Sequence, residues 1–270
     1  VSEAPASMAL TGIRFALGTL SVLPVRVTRW DRDAARAGMV CAPLVGLVVG
    51  VFGAAVGGLL VLLGSGPLLT AVAAAAVPAV LTRGLHLDGL ADTADGLGSG
   101  RPAEDALKIM KQSDIGPFGV LTLLFTLLAQ IAALHELYGK GWAYGALGAV
   151  VSGVAARLAL TLTARTGVPA ARPEGLGAAV AEVLSLRAAL LVTLLVTAIC
   201  AAVGAISGSY SYASGPLSAV HFALAVGGGL VAAQLLLRHC VRRFGGVTGD
   251  VFGAVAETAA TVCLVALVLG

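Results

Sequence analysis

Apolar side chains run almost unbroken through residues 38–63, 67–82, 117–137, 141–164, 188–207, 217–237 and 252–270. A helix that crosses a bilayer needs ~20 mostly apolar residues, so each stretch predicts one transmembrane helix. Residues 8–25 make an eighth candidate, although Arg14 interrupts the run and Pro24 closes it. That segment either crosses the bilayer or lies in its interface. The pattern predicts an all-α integral membrane protein, a polytopic bundle of seven or eight transmembrane helices. With 270 residues the chain is expected to form a single polytopic domain, with no room for a separate soluble one.

The connections between these stretches are of two kinds, and the kinds alternate. Those at 64–66, 138–141 and 208–216 contain one charge, Lys140. The others hold Arg26, Arg29, Arg32 and Arg36, then Arg83 through Lys111, then Arg165, Arg172 and Arg187, then Arg238, Arg242 and Arg243. Basic residues are retained on the cytoplasmic side during insertion, so the Arg-rich connections are expected to face the cytosol from the cytoplasmic (inner) membrane. Composition agrees, with 58% hydrophobic residues, 11% charged residues and a mean hydropathy of +0.98. The net charge of +3 is scattered among apolar segments, which argues against nucleic-acid binding. VSEAPASM at 1–8 carries Glu3 and no positive n-region, which argues against a cleaved signal peptide. Cys41, Cys200, Cys240 and Cys263 lie far apart without ligand spacing and read as small apolar filler. Gly46 with Gly50, and Gly53 with Gly57, stand at GxxxG spacing, which permits close helix contact. No internal repeat suggests an inverted-repeat transporter.

Against this background HLDGLADTADG at 86–96 is an anomaly. Six of the fourteen acidic residues lie between Asp88 and Asp114. On a helix, Asp88, Asp92 and Asp95 fall at about 0°, 40° and −20°, a single stripe bordered by Ala91, Gly96 and Ser99. Leu87, Leu90 and Leu97 fall away from it. Two like charges ~4 Å apart repel by about 4 kcal/mol at an effective dielectric of ~20, so the cluster must protonate, pair or bind a cation. Hard divalent cations such as Mg²⁺ are held by a few carboxylates together with substrate phosphates, and the small border would let a ligand approach. A solvated acidic turn is the plainer alternative. His86 falls about 160° from the stripe, which favours packing or hydrogen bonding over metal ligation.

RRFGGVTGDVFGAVAE at 242–257 repeats the theme. Asp250 and Glu257 stand seven apart over Gly253 and Ala254, and Glu257 lies inside an apolar stretch, where an ionisable group is a functional candidate by default. Arg242, Arg243, Gly245 and Gly246 offer positive charge and flexible backbone suited to an anion. The GK[ST] of a Walker A loop is absent, and a simple helix entry also accounts for the glycines. Between the two acidic stretches lie Arg101, Lys108, Lys111 and Asp114, whose cations face either phosphates or water and lipid headgroups. Arg157 falls within an apolar stretch and needs a carboxylate or a phosphate unless it snorkels to the interface. His135, His221 and His239 show no ligand spacing.

HLDGLADTADGLGSGR at 86–101, ALKIMKQSDIGPFG at 106–119, PAARPEGLG at 169–177 and GGVTGDVFGAVAE at 245–257 resemble, in that order, the cobalamin synthase family of adenosylcobinamide-GDP ribazoletransferases. TLSVLPV at 19–25 departs from the family's TRLPV-like element at Ser21 and Val22, so no function is carried onto it. The DxxDG at 92–96 also looks like the opening of the CDP-alcohol phosphotransferase motif, with Ser99 and Gly100 where Ala-Arg would follow, and that likeness is analogy only. The resemblance implies an Mg²⁺-dependent membrane transferase joining adenosylcobinamide-GDP to α-ribazole or its 5′-phosphate, with release of GMP and formation of adenosylcobalamin or its 5′-phosphate. Together with the two stripes it makes Asp88, Asp92, Asp95 and Asp250 the expected Mg²⁺ ligands and Asp95 or Glu257 the expected proton acceptor. His86, Arg101, Lys111, Asp114, Arg157, Arg172, Arg242, Arg243, Gly245 and Gly246 are the expected substrate and phosphate contacts. The helices would enclose a cytosol-facing cavity large enough for a corrinoid. Expected partners are the two substrates and the lipid bilayer, with a homo-oligomer or other cobalamin-pathway enzymes as further candidates.

An ion-coupled transporter using intramembrane carboxylates is the main rival. Transport sites favour mid-membrane positions in broken helices, whereas most acids here stand at helix ends among basic residues. A non-catalytic scaffold would leave the clustered aspartates without a purpose.

Overall fold

A computed structural model describes residues 5–209 and 215–269. The readings of Glu3 within 1–8, of most of the 208–216 connection and of Gly270 lie outside the described residues. Eleven helices follow one another: α1 (Pro5–Leu20), α2 (Arg32–Leu62), α3 (Pro67–Leu81), α4 (Leu85–Gly98), α5 (Ala103–Ile109), α6 (Pro117–Lys140), α7 (Trp142–Thr163), α8 (Leu176–Val180), α9 (Leu186–Ser209), α10 (Gly215–Phe244) and α11 (Gly249–Val268). The described residues form no strand, only two isolated bridges, Arg165 with Leu184 and Ala170 with Val247. Among the described residues six helices, α2, α6, α7, α9, α10 and α11, are long and apolar enough to cross a bilayer. Helices α3 and α4 pass the same test only as a pair bent by 87°, a broken span or a re-entrant loop, so the 67–82 stretch does not form a straight crossing helix by itself.

Local chemistry sets the boundaries. The Asp31 carboxylate accepts from the backbone N–H groups of Asp33 and Ala34, both at 3.0 Å, and starts α2 six residues ahead of its apolar run. Pro67 and Pro117 open α3 and α6, where a missing N–H costs nothing. Arg83 and Gly84, at φ 54° and 71°, end α3 and turn the chain into α4. Helix α1, at 16 residues, is about 24 Å long and falls short of a ~30 Å hydrocarbon core. It docks on α2 instead: a methyl group on Gly38 would meet the Phe15 ring at 2.3 Å, and one on Gly12 would meet the Ala37 backbone at 2.7 Å.

Helix α7 forms the centre, buried without interruption from Val151 to Thr163. Helix α2 reaches it through the GxxxG glycines, since a methyl group on Gly46 would lie 2.2 Å from the Gly153 carbonyl and one on Gly50 2.6 Å from Val150 Cα. Helix α9 stands at the periphery and exposes Leu190, Leu191, Leu194, Leu195 and Ile199, the surface a lipid-facing helix presents. All four cysteines are free, and Cys200, Cys240 and Cys263 are buried. The Arg-rich connections gather at one end. Arg32 and Arg36 donate to the carbonyls of Ala181 and Val183 at 3.0 and 2.9 Å, and Arg243 donates to the carbonyl of Arg101. Lys140 donates to the Val268 carbonyl at 3.3 Å at the opposite end.

Candidate functional site

The acidic stretch and the second acidic motif meet because two glycines let their helices touch. A methyl group on Gly89 of α4 would lie 2.7 Å from the Asp250 carbonyl oxygen, and one on Gly253 of α11 would lie 2.9 Å from the His86 carbonyl oxygen. Backbone therefore rests on backbone, and Asp88 and Asp92 come to face Asp250. The negative charges of Asp88, Asp250 and Asp95 all act on Asp92, and Arg172 is the cation that opposes them. Arg172 lies 4.0 Å from Asp250 Oδ2 and donates to the Leu107 carbonyl, while Thr248 Oγ1 donates to Asp250 Oδ2 at 3.0 Å. The Thr248 hydroxyl also caps α11 by accepting from Val251 N at 3.3 Å.

The PAARPEGLG stretch supplies Arg172 by docking on the loop that precedes α11. Val247 N donates to the Pro169 carbonyl at 2.8 Å, and Ala171 N donates to the Val247 carbonyl at 2.9 Å. Gly246 makes room for this, since a methyl group there would lie 2.5 Å from the Pro169 oxygen, and Gly245 turns the chain at φ 79°. Protein backbone thus covers Gly246, which serves chain docking in place of the expected anion cradle, while Gly245 faces open space. Gly177 likewise packs on Thr248.

A cavity of about 260 Å³ opens beside the acids. His86, Asp88, Arg172, Glu174 and Asp250 line one side, and Phe15, Leu20, Met39, Leu160 and Val180 line the other. Drug-sized ligands usually occupy roughly 300–1,000 Å³, so this space is too small for a corrinoid, contrary to the sequence-based expectation.

Two of the expected catalytic groups have other partners. Asp95 Oδ2 accepts from Gly116 N at 2.8 Å and Oδ1 from Gly119 N at 2.9 Å, so this buried carboxylate caps the start of α6. Each oxygen thus already serves the start of α6, which gives Asp95 a structural role besides the expected ones. Glu257 lies two turns deeper than Asp250, in a separate cavity of about 40 Å³ shared with Gln130, Ser152 and Arg157. Gln130 Nε2 donates to Glu257 Oε2 at 2.9 Å and to Thr261 Oγ1 at 3.0 Å. Glu257 is thus removed from the acid cluster and does not reach it as a base. Arg157, 2% exposed, is enclosed in this cavity with Glu257 and does not snorkel to the interface. Its Nε and Nη2 make no hydrogen bond, nor does Nδ1 of the buried His86.

The remaining expected contacts stay outside the cavity. Arg101, Lys111, Asp114 and Arg242 are exposed, and Arg243 lies over the Phe244 ring at 6.0 Å. Among the described residues, no three His, Cys, Asp or Glu side chains converge as a ready-made metal cage. Mg²⁺ needs fewer protein ligands, because one or two carboxylates with substrate phosphates and waters complete its shell. Asp88, Asp92 and Asp250 suit such a shared cation, and they do not suit one held by protein alone. Gln130 was overlooked in the sequence although a lone amide within an apolar run is itself a signal. Phe15 and Met39 carried none, since apolar residues in a cavity wall look like any core.

A family model described as cobalamin-5-phosphate synthase matches residues 12–268. A protein of Frankia casuarinae named adenosylcobinamide-GDP ribazoletransferase is 40% identical over 266 residues, covering 95% of this chain and 94% of its own. Proteins with the same name from a Nocardioides species and from Bradyrhizobium diazoefficiens are 40% and 36% identical, covering 94% of this chain in each case and 96% and 92% of their own. No solved structure matches. The four motif blocks, the helical membrane architecture and these relatives agree: the chain belongs to the cobalamin-5-phosphate synthase family.

Proposed function

We propose that this protein transfers the adenosylcobinamide phosphate group from adenosylcobinamide-GDP to α-ribazole or its 5′-phosphate, releasing GMP at the cytosolic face of the inner membrane. The observation that carries this reading is the meeting of Asp88 and Asp92 with Asp250 beside a single anchored cation, Arg172, at the Arg-rich end of the bundle. Such an excess of negative charge is suited to a divalent cation that a diphosphate shares, and the relatives' printed name supplies the diphosphate.

Asp92 and Asp250, on facing helices, would hold Mg²⁺ together with diphosphate oxygens. When bound, the cation would neutralise the diphosphate and stabilise GMP as a leaving group. Arg172, fixed by the Leu107 carbonyl and Asp250, places a guanidinium at the cavity wall for a phosphate oxygen. Asp88 lines the cavity without the hydrogen bonds that occupy Asp95 and Glu257, and it is the group assigned to take the ribazole hydroxyl proton. The hydroxyl oxygen then bonds to the phosphorus that carries the cobinamide, and the bond from that phosphorus to the GMP oxygen breaks.

The test is incubation of purified protein with adenosylcobinamide-GDP and α-ribazole. GMP and a cobalamin product are expected with Mg²⁺, to be lost with EDTA and restored when Mg²⁺ is returned. Undiminished GMP release in the chelator would overturn the cation assignment, and absence of GMP with Mg²⁺ present would overturn the reaction.

A further inference from the structure

The cavity beside the acids has two unlike ends, and phosphate chemistry accounts for only one of them. Asp88, Asp250 and Arg172 stand at the polar end. The far end is closed by Phe15, Leu20, Met39, Leu160 and Val180, drawn from α1, α2, α7 and α8. Phe15, Met39 and Leu160 are 1%, 2% and 1% exposed, so they back this end as fixed packing, and Leu20, Leu176 and Val180 also line the cavity. Phe15 is held from both sides, against Gly38 and edge-on to Trp30 at 5.5 Å between ring centroids. A diphosphate gains nothing from such a surface, whereas a flat aromatic ring gains burial and ring contact there.

Resting on the reaction proposed above, we infer that this apolar end is the subsite for the aromatic base of the acceptor nucleoside. Size decides between the two substrates. About 260 Å³ lies just below the usual range for small-molecule pockets, enough for a nucleoside and far too little for a corrin macrocycle. A base seated at this end directs its ribose toward Asp88, and the corrinoid stays outside the mouth with only its diphosphate reaching in. The subsite also gives α1 a place in the reaction: it supplies Phe15 and Leu20. Thr19, the polar side chain on the α1 wall, spends its hydroxyl proton on the Phe15 carbonyl, so recognition rests mainly on shape and favours apolar bases over purines whose polar edges would be left unpaired.

The test uses the full-length protein in detergent with two readouts, equilibrium dialysis of α-ribazole without any corrinoid, and the KM of each substrate in GMP release. Val180→Phe and Leu20→Trp fill the apolar end, and they are expected to raise the Kd and KM for α-ribazole about tenfold or more. The KM for adenosylcobinamide-GDP should stay within about twofold. Met39→Ala enlarges the same end and should shift preference toward a nucleoside with a bulkier base, a gain that misfolding cannot produce. The subsite is overturned if the filling variants raise the corrinoid KM alone or both KM values equally, or if Met39→Ala leaves base preference unchanged. Turnover by the parent protein with either result would leave the reaction itself standing. Saturable α-ribazole binding lost in Val180→Phe, in a parent protein that releases no GMP, would uphold the subsite and overturn the reaction.

Discussion

Asp92 and Asp95 stand three residues apart on one helix face, yet the chain around them gives them different work. Asp95 spends both oxygens on the N–H groups of Gly116 and Gly119, so Asp95→Ala should destabilise the fold by about 0.5–2 kcal/mol, as loss of a helix cap does. Asp95→Asn keeps one acceptor and should lose less, an order that thermal denaturation in detergent will check. Asp92→Asn is expected to behave oppositely, with melting unchanged and Mg²⁺-dependent GMP release reduced about 10²-fold or more, the scale of a lost electrostatic stabiliser. Deeper in the bundle, Arg157 and Glu257 share a small cavity with Gln130. Removing one charge of a buried pair strands the other, so Arg157→Met should cost about 3–5 kcal/mol. Arg157→Met combined with Glu257→Met should recover most of that loss, and a double-mutant cycle on melting will measure it. The acidic stripe at Asp88, Asp92 and Asp95 was legible in the sequence from spacing alone. Which oxygens were already taken was not, because the donors sit 21 and 24 residues further along.

At the scale of elements, apolar run length located the six long helices, missed the start of α2 and the end of α10 by six and seven residues, and did not show the bend that follows 67–82, and these shortfalls have local causes. Helix α10 continues from Leu237 to Phe244 because Arg238, Arg242 and Arg243 carry their charges beyond the apolar run without interrupting the helix. Helix α2 starts early because Asp31 caps it. The GxxxG spacing correctly signalled a close helix contact and could not name α7 as the partner. The contact that matters most for the site joins Gly89 of α4 to Gly253 of α11, and spacing could not say that these two helices meet there and bring Asp88 to Asp250. A methyl group on Gly253 must push back the His86 backbone, which now lies at 2.9 Å. Gly253→Ala should therefore lower kcat by about 10²-fold, the penalty for misplacing reacting groups by an ångström, while size-exclusion profiles in detergent stay unchanged. Activity equal to that of the parent protein would show that the α4–α11 approach has slack.

For the whole molecule, the alternation of Arg-rich and charge-poor connections predicts sidedness, and the fold gathers the Arg-rich ones at a single end. Lys111→Cys should be labelled by a membrane-impermeant reagent only in inside-out vesicles, and Ser65→Cys only in right-side-out ones. Labelling of both from one side would contradict the topology. The amino-acid sequence by itself determined that the chain is a helical membrane bundle, where its helices lie and which end bears the charge, because hydrophobic run length and helical spacing are properties of neighbouring residues. It also marked the acidic stripe as chemistry. Only the tertiary structure decided that Asp95 is a cap, that Glu257 belongs to another cavity, that Gly246 is covered by backbone, and that the space beside the acids ends in an apolar wall. Each of those depends on how closely two distant backbones approach, and that distance is set by packing across the bundle, which no local pattern encodes.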